Sequence, residues 1–99
     1  MTTDQHDLFG ALPRPAPIPP TPGTIKHATL SALVAGPITQ ATFTESWRLA
    51  EYVRQLIADH WAVRVREVPY CGRIIAEYRI DLGDDATRAA VAAHVTGVV

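Results

Sequence analysis

Residues 13–22 read Pro-Arg-Pro-Ala-Pro-Ile-Pro-Pro-Thr-Pro, and nothing else in this 99-residue chain narrows its folding options as sharply. Proline fixes φ near about −65° and carries no amide hydrogen, so such a run can neither enter a helix interior nor donate a strand ladder. What is left to it is extended polyproline, at about 3.1 Å per residue. The run therefore reads as a stiff spacer of roughly 30 Å. On that reading residues 1–23 form a disordered proline-rich arm and residues 24–99 hold the fold. A chain this short supports one hydrophobic core and one domain.

Beyond the arm the apolar spacing is helical at first. Ile25, Ala28, Leu30, Leu33 and Val34 predict a helix from Thr24, stopped by Gly36-Pro37. Ile38-Thr39 is a short extended piece, and Thr39 is placed to cap a brief second helix through Phe43. That helix is poor in propensity because of its threonines, so packing of Phe43 must hold it. Residues 46–60 give the clearest helix: Leu49, Val53, Leu56 and Ile57 form one stripe, with Ser46 as N-cap. Its other face shows Trp47, Arg48, Glu51, Tyr52 and Gln55. Trp61 is expected to plug the base of the domain, and Trp47, if exposed, to be a contact residue.

From Ala62 the period changes to two. Val63 and Val65 alternate with Arg64 and Arg66, Pro69-Tyr70-Cys71-Gly72 supplies a turn, and residues 73–82 return as a second strand. Ile74, Ala76, Tyr78 and Ile80 are expected on the buried face of this hairpin, with Glu77 and Arg79 outside. Asp84-Asp85 then precede an alanine-rich stretch that predicts a short C-terminal helix.

Net charge is −1, which gives no global field for nucleic acid, so any contact with DNA has to come from local placement. The basic residues are nevertheless biased. Eight of the nine are arginine, and six of them (Arg48, Arg54, Arg64, Arg66, Arg73, Arg79) fall between residues 48 and 79. Arginine favours bidentate contacts to phosphate and guanine. The bland alternative is a set of solvated arginines paired with Glu45, Glu51, Glu67 and Glu77.

His6, His27, His60 and His94 share no metal-ligand spacing, and Cys71 has no second cysteine, so neither a metal nor a cofactor is expected. No nucleophile–base pair or phosphate-cradling glycine loop is legible, which points away from an enzyme. The absence of a spanning apolar run or a secretion signal, with a lone cysteine, leads to an expected cytoplasmic location and no membrane association.

The stretch Trp47-Arg48-Leu49-Ala50, then Val53, Leu56 and Val63, then Gly72-Arg73 and Ala76-Glu77-Tyr78-Arg79-Ile80, resembles a small helix-turn-helix family common in bacteriophage and prophage genomes. The resemblance covers roughly residues 28–82. It implies an α+β winged helix-turn-helix: three helices and a β-hairpin wing, followed here by the short C-terminal helix. It also implies binding to double-stranded DNA in replication or transcription control. Trp47, Arg48, Glu51, Tyr52 and Gln55 would face a groove, and Arg64, Arg66, Arg73 and Arg79 would hold phosphates. His60 stands where the family ends its third helix with glycine, so a positive φ is expected on a residue that tolerates it less readily.

In the arm, Gln5-His6-Asp7-Leu8-Phe9 resembles the pentapeptide by which bacterial replication and repair proteins hook the sliding clamp. That likeness implies Leu8 and Phe9 in an apolar pocket and paired hydrogen bonds from the Gln5 amide. Two alternatives to direct DNA binding stay open: a protein-binding adaptor, and a phage inhibitor of a host factor, hinted at by Glu45, Glu51 and Asp59.

Overall fold

Thr24 turns the chain into its first helix. Its hydroxyl accepts the His27 amide at 3.1 Å, relieving one of the donors that a helix start leaves unpaired. The computed structural model describes residues 15–97, arranged as α1 (Ile25–Ala35), β1 (Ile38–Thr39), α2 (Leu49–Ala58), β2 (Val63–Tyr70), β3 (Arg73–Ile80) and α3 (Asp85–Thr96). These are three helices and one three-stranded antiparallel sheet of order β1-β3-β2. No helix among the described residues is long and apolar enough to cross a membrane.

The core lies between α1, α2 and the inner end of the sheet. Leu30 and Leu33 from α1 meet Leu49, Val53 and Leu56 from α2, with Ile38, Phe43 and Trp61 closing the cluster. The α2 positions recur at i, i+4 and i+7, the period that aligns side chains on one helix face. Ile57 does not join them: the stripe expected from sequence is narrower in the structure, and Ile57 is 47% exposed. Trp61 is buried at the base, as its position suggested.

Helix α2 ends in a Schellman arrangement. Trp61 N–H donates to the Leu56 carbonyl and His60 N–H to the Ile57 carbonyl, both at 3.0 Å. The motif needs a left-handed residue between them, and His60 supplies it at φ 77°. Helix α3 starts on Asp84, whose carboxylate accepts the Thr87 amide at 3.0 Å. The buried Thr87 hydroxyl then accepts the Ala62 amide at 2.9 Å, which ties α3 to the root of β2.

Three further expectations need correction. The brief second helix is one hydrogen-bonded turn: Phe43 N–H reaches the Thr39 carbonyl at 2.9 Å and no further turn follows. The physical cause is competition from side chains. Thr39 Oγ1 accepts the Ala41 and Thr42 amides, and Thr42 Oγ1 accepts the Thr39 amide, so the backbone donors are satisfied without a helix. The helix expected from residue 46 starts at Leu49, so Trp47 and Arg48 lie before it. Ser46 accepts the Arg48 amide at 3.0 Å instead of capping the helix, and Gln40 Oε1 takes the Leu49 amide at 2.9 Å.

The third correction concerns the proline run. In its described part it is no free spacer, for Pro17 and Pro20 are buried. Ile18 N–H donates to the Asp59 carbonyl at 2.9 Å, and the Trp61 indole N–H donates to the Ile18 carbonyl at 2.9 Å. A buried indole N–H without an acceptor is costly, and the strap provides one. Lys26 pairs with the Asp59 carboxylate and holds α1 to the same corner.

Candidate nucleic-acid interface

Strand pairing sorts the hairpin side chains. The register sets Val63 opposite Ile80 and Val65 opposite Tyr78 on one face, and Arg64 opposite Arg79, Arg66 opposite Glu77 and Tyr70 opposite Arg73 on the other. Ile38 of β1 pairs with Tyr78, which puts the first face against the core. All four hairpin arginines therefore share the face turned away from the core, because side chains alternate across a strand.

Strand β1 meets β3 only at Tyr78 and Glu77, so the outer half of the hairpin extends past its support. This explains a further correction: Ile74, expected to be buried, is 63% exposed, and Val65 is 55% exposed. Glu77 lies on the outer face, as expected, and is shielded there by Arg66, whose Nε donates to its carboxylate at 2.7 Å. The turn is Cys71-Gly72, both with positive φ, as a two-residue type I′ hairpin requires.

The arginines differ in what holds them. Arg66 is paired with Glu77, and Arg64 reaches Asp81 only at 4.0 Å. Arg73 and Arg79 have no ion pair among the described residues. Arg64, Arg66 and Arg79 line one open recess of about 290 Å³ with Val65.

The second group sits at the start of α2. Trp47 is 83% exposed, and the Arg48 guanidinium carbon lies 5.9 Å from its ring centroid, within cation–π range. Gln40 fixes this corner, since its amide also donates to the Ser46 carbonyl at 2.7 Å. Gln40 directly follows β1, whose Thr39 pairs with Glu77, so the Trp47–Arg48 corner is tied to the β1 flank of the sheet. Sequence patterning gave no sign of Gln40, because its partners are backbone groups 6 and 9 residues away.

On the expected helix face, Glu51 and Gln55 are already engaged. The Glu51 carboxylate accepts from Arg54 Nε at 3.0 Å, Arg54 Nη2 at 2.5 Å and Gln55 Nε2 at 3.0 Å. These bonds, that from Arg54 foremost, pull the Glu51 carboxyl down to about 2. Glu51 is thus a fixed anion, and the Gln55 amide is directed at it. Tyr52 and Gln55 line a groove of about 480 Å³ with Ile18, Pro19 and Pro20 of the strap. Arg54, one of the six clustered arginines, meets Glu51 at the i,i+3 spacing that brings side chains together on a helix surface.

A cleft of about 610 Å³ lies away from the arginines, between the strap and the helices, where His27 and His94 face each other at 5.2 Å. Burial, then His27, lowers the His94 pKa. No group of three metal-ligating side chains occurs among the described residues. Gln5, Leu8 and Phe9 lie outside the described residues. Comparison with protein-family models, curated proteins and solved structures returned no match.

Proposed function

We propose that the chain is a DNA-binding protein of winged-helix type whose main contact is the arginine face of its hairpin, with the Trp47–Arg48 corner as the second contact. The observation that carries this reading is the register: four arginines on one exposed face of a hairpin that outreaches its core. Helix, short strand, turn, helix and hairpin in that order support the winged-helix assignment, with the middle helix reduced to a turn.

The engagement of Glu51 by Arg54 and Gln55 shifts the balance from base reading to backbone contact. Arginines on a hairpin position a protein on duplex DNA through phosphates and carry little sequence information. Binding is therefore expected to be strongly salt-dependent and weakly sequence-dependent. The resemblance of the α2 stretch extends the proposal to a phage or prophage role in replication or transcription control.

The test is binding of the full chain to a random duplex, followed by fluorescence anisotropy at low and moderate salt. Three to four phosphate contacts predict a slope of about −3 in log K against log salt, from about −0.9 per contact. No salt-sensitive affinity at micromolar protein rejects the reading. The clamp hook at Gln5, Leu8 and Phe9 is a separate part of the proposal. Titrating a sliding clamp with a peptide of residues 1–12 and its Leu8→Ala and Phe9→Ala forms tests it, and equal affinity for all three removes it.

A further inference from the structure

We infer that Arg64 and Arg79 together form a seat for a single phosphate group. The inference rests on the DNA reading for the source of that phosphate, a backbone diester, and on the hairpin itself for the site.

Two guanidiniums directly across an antiparallel pair repel one another, and like charges at such positions destabilise a sheet. Arg64 and Arg79 are opposed in this way. The carboxylates nearby do not resolve the conflict. Glu77 is occupied by Arg66, and Asp81 reaches only Arg64, at the outer limit of an ion pair. Arg79 is left exposed without an ion pair among the described residues. The free protein thus carries a local excess of positive charge at the inner end of the hairpin.

The surroundings suit an anion of phosphate size. Arg64, Arg66 and Arg79, with Val65, line one open recess of about 290 Å³. Arg64 is 71% exposed, so an arriving anion displaces no packed side chain. A guanidinium presents a planar fork of donors that matches phosphate oxygens bidentately, and two forks facing one another can chelate one group. Neutralisation of the opposed pair then couples binding to stability: the ligand removes a repulsion built into the free hairpin.

The experiment uses the full chain in two arms. In the first, thermal unfolding is followed in sodium phosphate and in sodium chloride at equal ionic strength and pH, for wild type, Arg64→Gln, Arg79→Gln and Arg73→Gln. Arg73 lies on the same face but opposite Tyr70, so it controls for general attraction of anions. Phosphate is expected to raise the Tm of wild type and Arg73→Gln by a few degrees and to leave the other two unchanged. In chloride, Arg79→Gln is expected to melt no lower than wild type, since it removes a repulsion.

In the second arm, the salt slope of duplex binding is measured for the same variants and for the Arg64→Gln/Arg79→Gln pair. One shared phosphate predicts that each single change and the double change all reduce the slope by about one. Phosphate protection retained in Arg79→Gln, or no advantage of phosphate over chloride, overturns the site. Duplex binding with wild-type slope in the double variant also overturns the site while leaving the DNA reading intact. Phosphate protection confined to proteins with both arginines, without any duplex binding, upholds the site, assigns it to free phosphate compounds and removes the DNA reading.

Discussion

The proline strap and the arginine hairpin lie at the periphery of the same small domain, yet one is drawn into the fold and the other is held out from it. The strap is short of donors, but it places the Ile18 amide and carbonyl where the end of α2 and Trp61 have complementary groups. Its prolines lose little freedom on docking, so two hydrogen bonds and two buried rings suffice to order it. The hairpin has a full ladder and apolar residues on its inner face, and still Val65 and Ile74 are exposed, since β1 ends after two residues. Packing partners, more than local composition, decide which peripheral segment becomes structural.

That contrast can be broken in several ways. The largest effect is expected at Trp61, where strap and core meet. Trp61→Ala removes a buried indole and the donor to Ile18, and urea unfolding should show a loss of about 3–5 kcal/mol. A loss below about 1 kcal/mol, the scale of an ordinary substitution, would mean that the strap carries none of the fold.

A sharper comparison pairs Ile18→Pro with Ile74→Ser. The first preserves the extended backbone while deleting the amide that serves the Asp59 carbonyl, and it should cost about 1 kcal/mol. The second changes an apolar residue that is 63% exposed and should fall within about 0.5 kcal/mol of wild type. Equal losses in the two variants would erase the distinction between the regions.

The hairpin also has a local weakness at its tip. Cys71 sits at φ 49° in a position that favours Asn or Gly, so Cys71→Asn should raise stability by up to about 1 kcal/mol, read from the shift in urea midpoint. Gly72 at φ 77° has open space where a Cβ would stand, so Gly72→Ala costs about 1 kcal/mol through backbone strain alone.

The smallest effects are those of pH. Glu51 titrates at about 2 in the fold, below its ordinary range, so its contribution is present above pH 4.5 and fades as pH falls toward 2. Carbon-13 NMR of the Glu51 carboxyl should show that midpoint, and Arg54→Ala should return it toward 4.5. His94 behaves in the opposite chemical sense with the same direction. Its folded pKa is lowered, first by burial and then by His27, so the unfolded chain takes up the proton first. Stability should decline as pH drops below 6.5, until the folded pKa is reached. His94→Gln should flatten that part of the Tm profile.

The candidate site was legible in unequal parts. Alternation of Arg64 and Arg66 with Val63 and Val65 was enough to assign the arginines to one side of a strand. Their opposition to Arg79 depends on the register, which the Cys71-Gly72 turn sets. The pairing of Glu51 with Arg54 follows from their i,i+3 spacing, whereas the groove that Tyr52 and Gln55 line with Ile18, Pro19 and Pro20 depends on residues remote in sequence. Likewise the threonines correctly lowered the expectation for a second helix, but their hydroxyls, bonded to nearby amides, removed it.

Periodicity and capping chemistry were sufficient for the elements that satisfy their needs locally: the Leu49-Val53-Leu56 stripe, the hairpin, and α3 behind Asp84. Those features follow from i,i+4 geometry, two-residue alternation and a carboxylate beside unpaired amides, all encoded within a few residues. The docking of the strap on Trp61 and the Gln40 brace of the Trp47 corner arise between segments separated along the chain. Their cause is the requirement that buried donors find acceptors and that apolar surface find cover, and it takes effect once the helices and sheet have met.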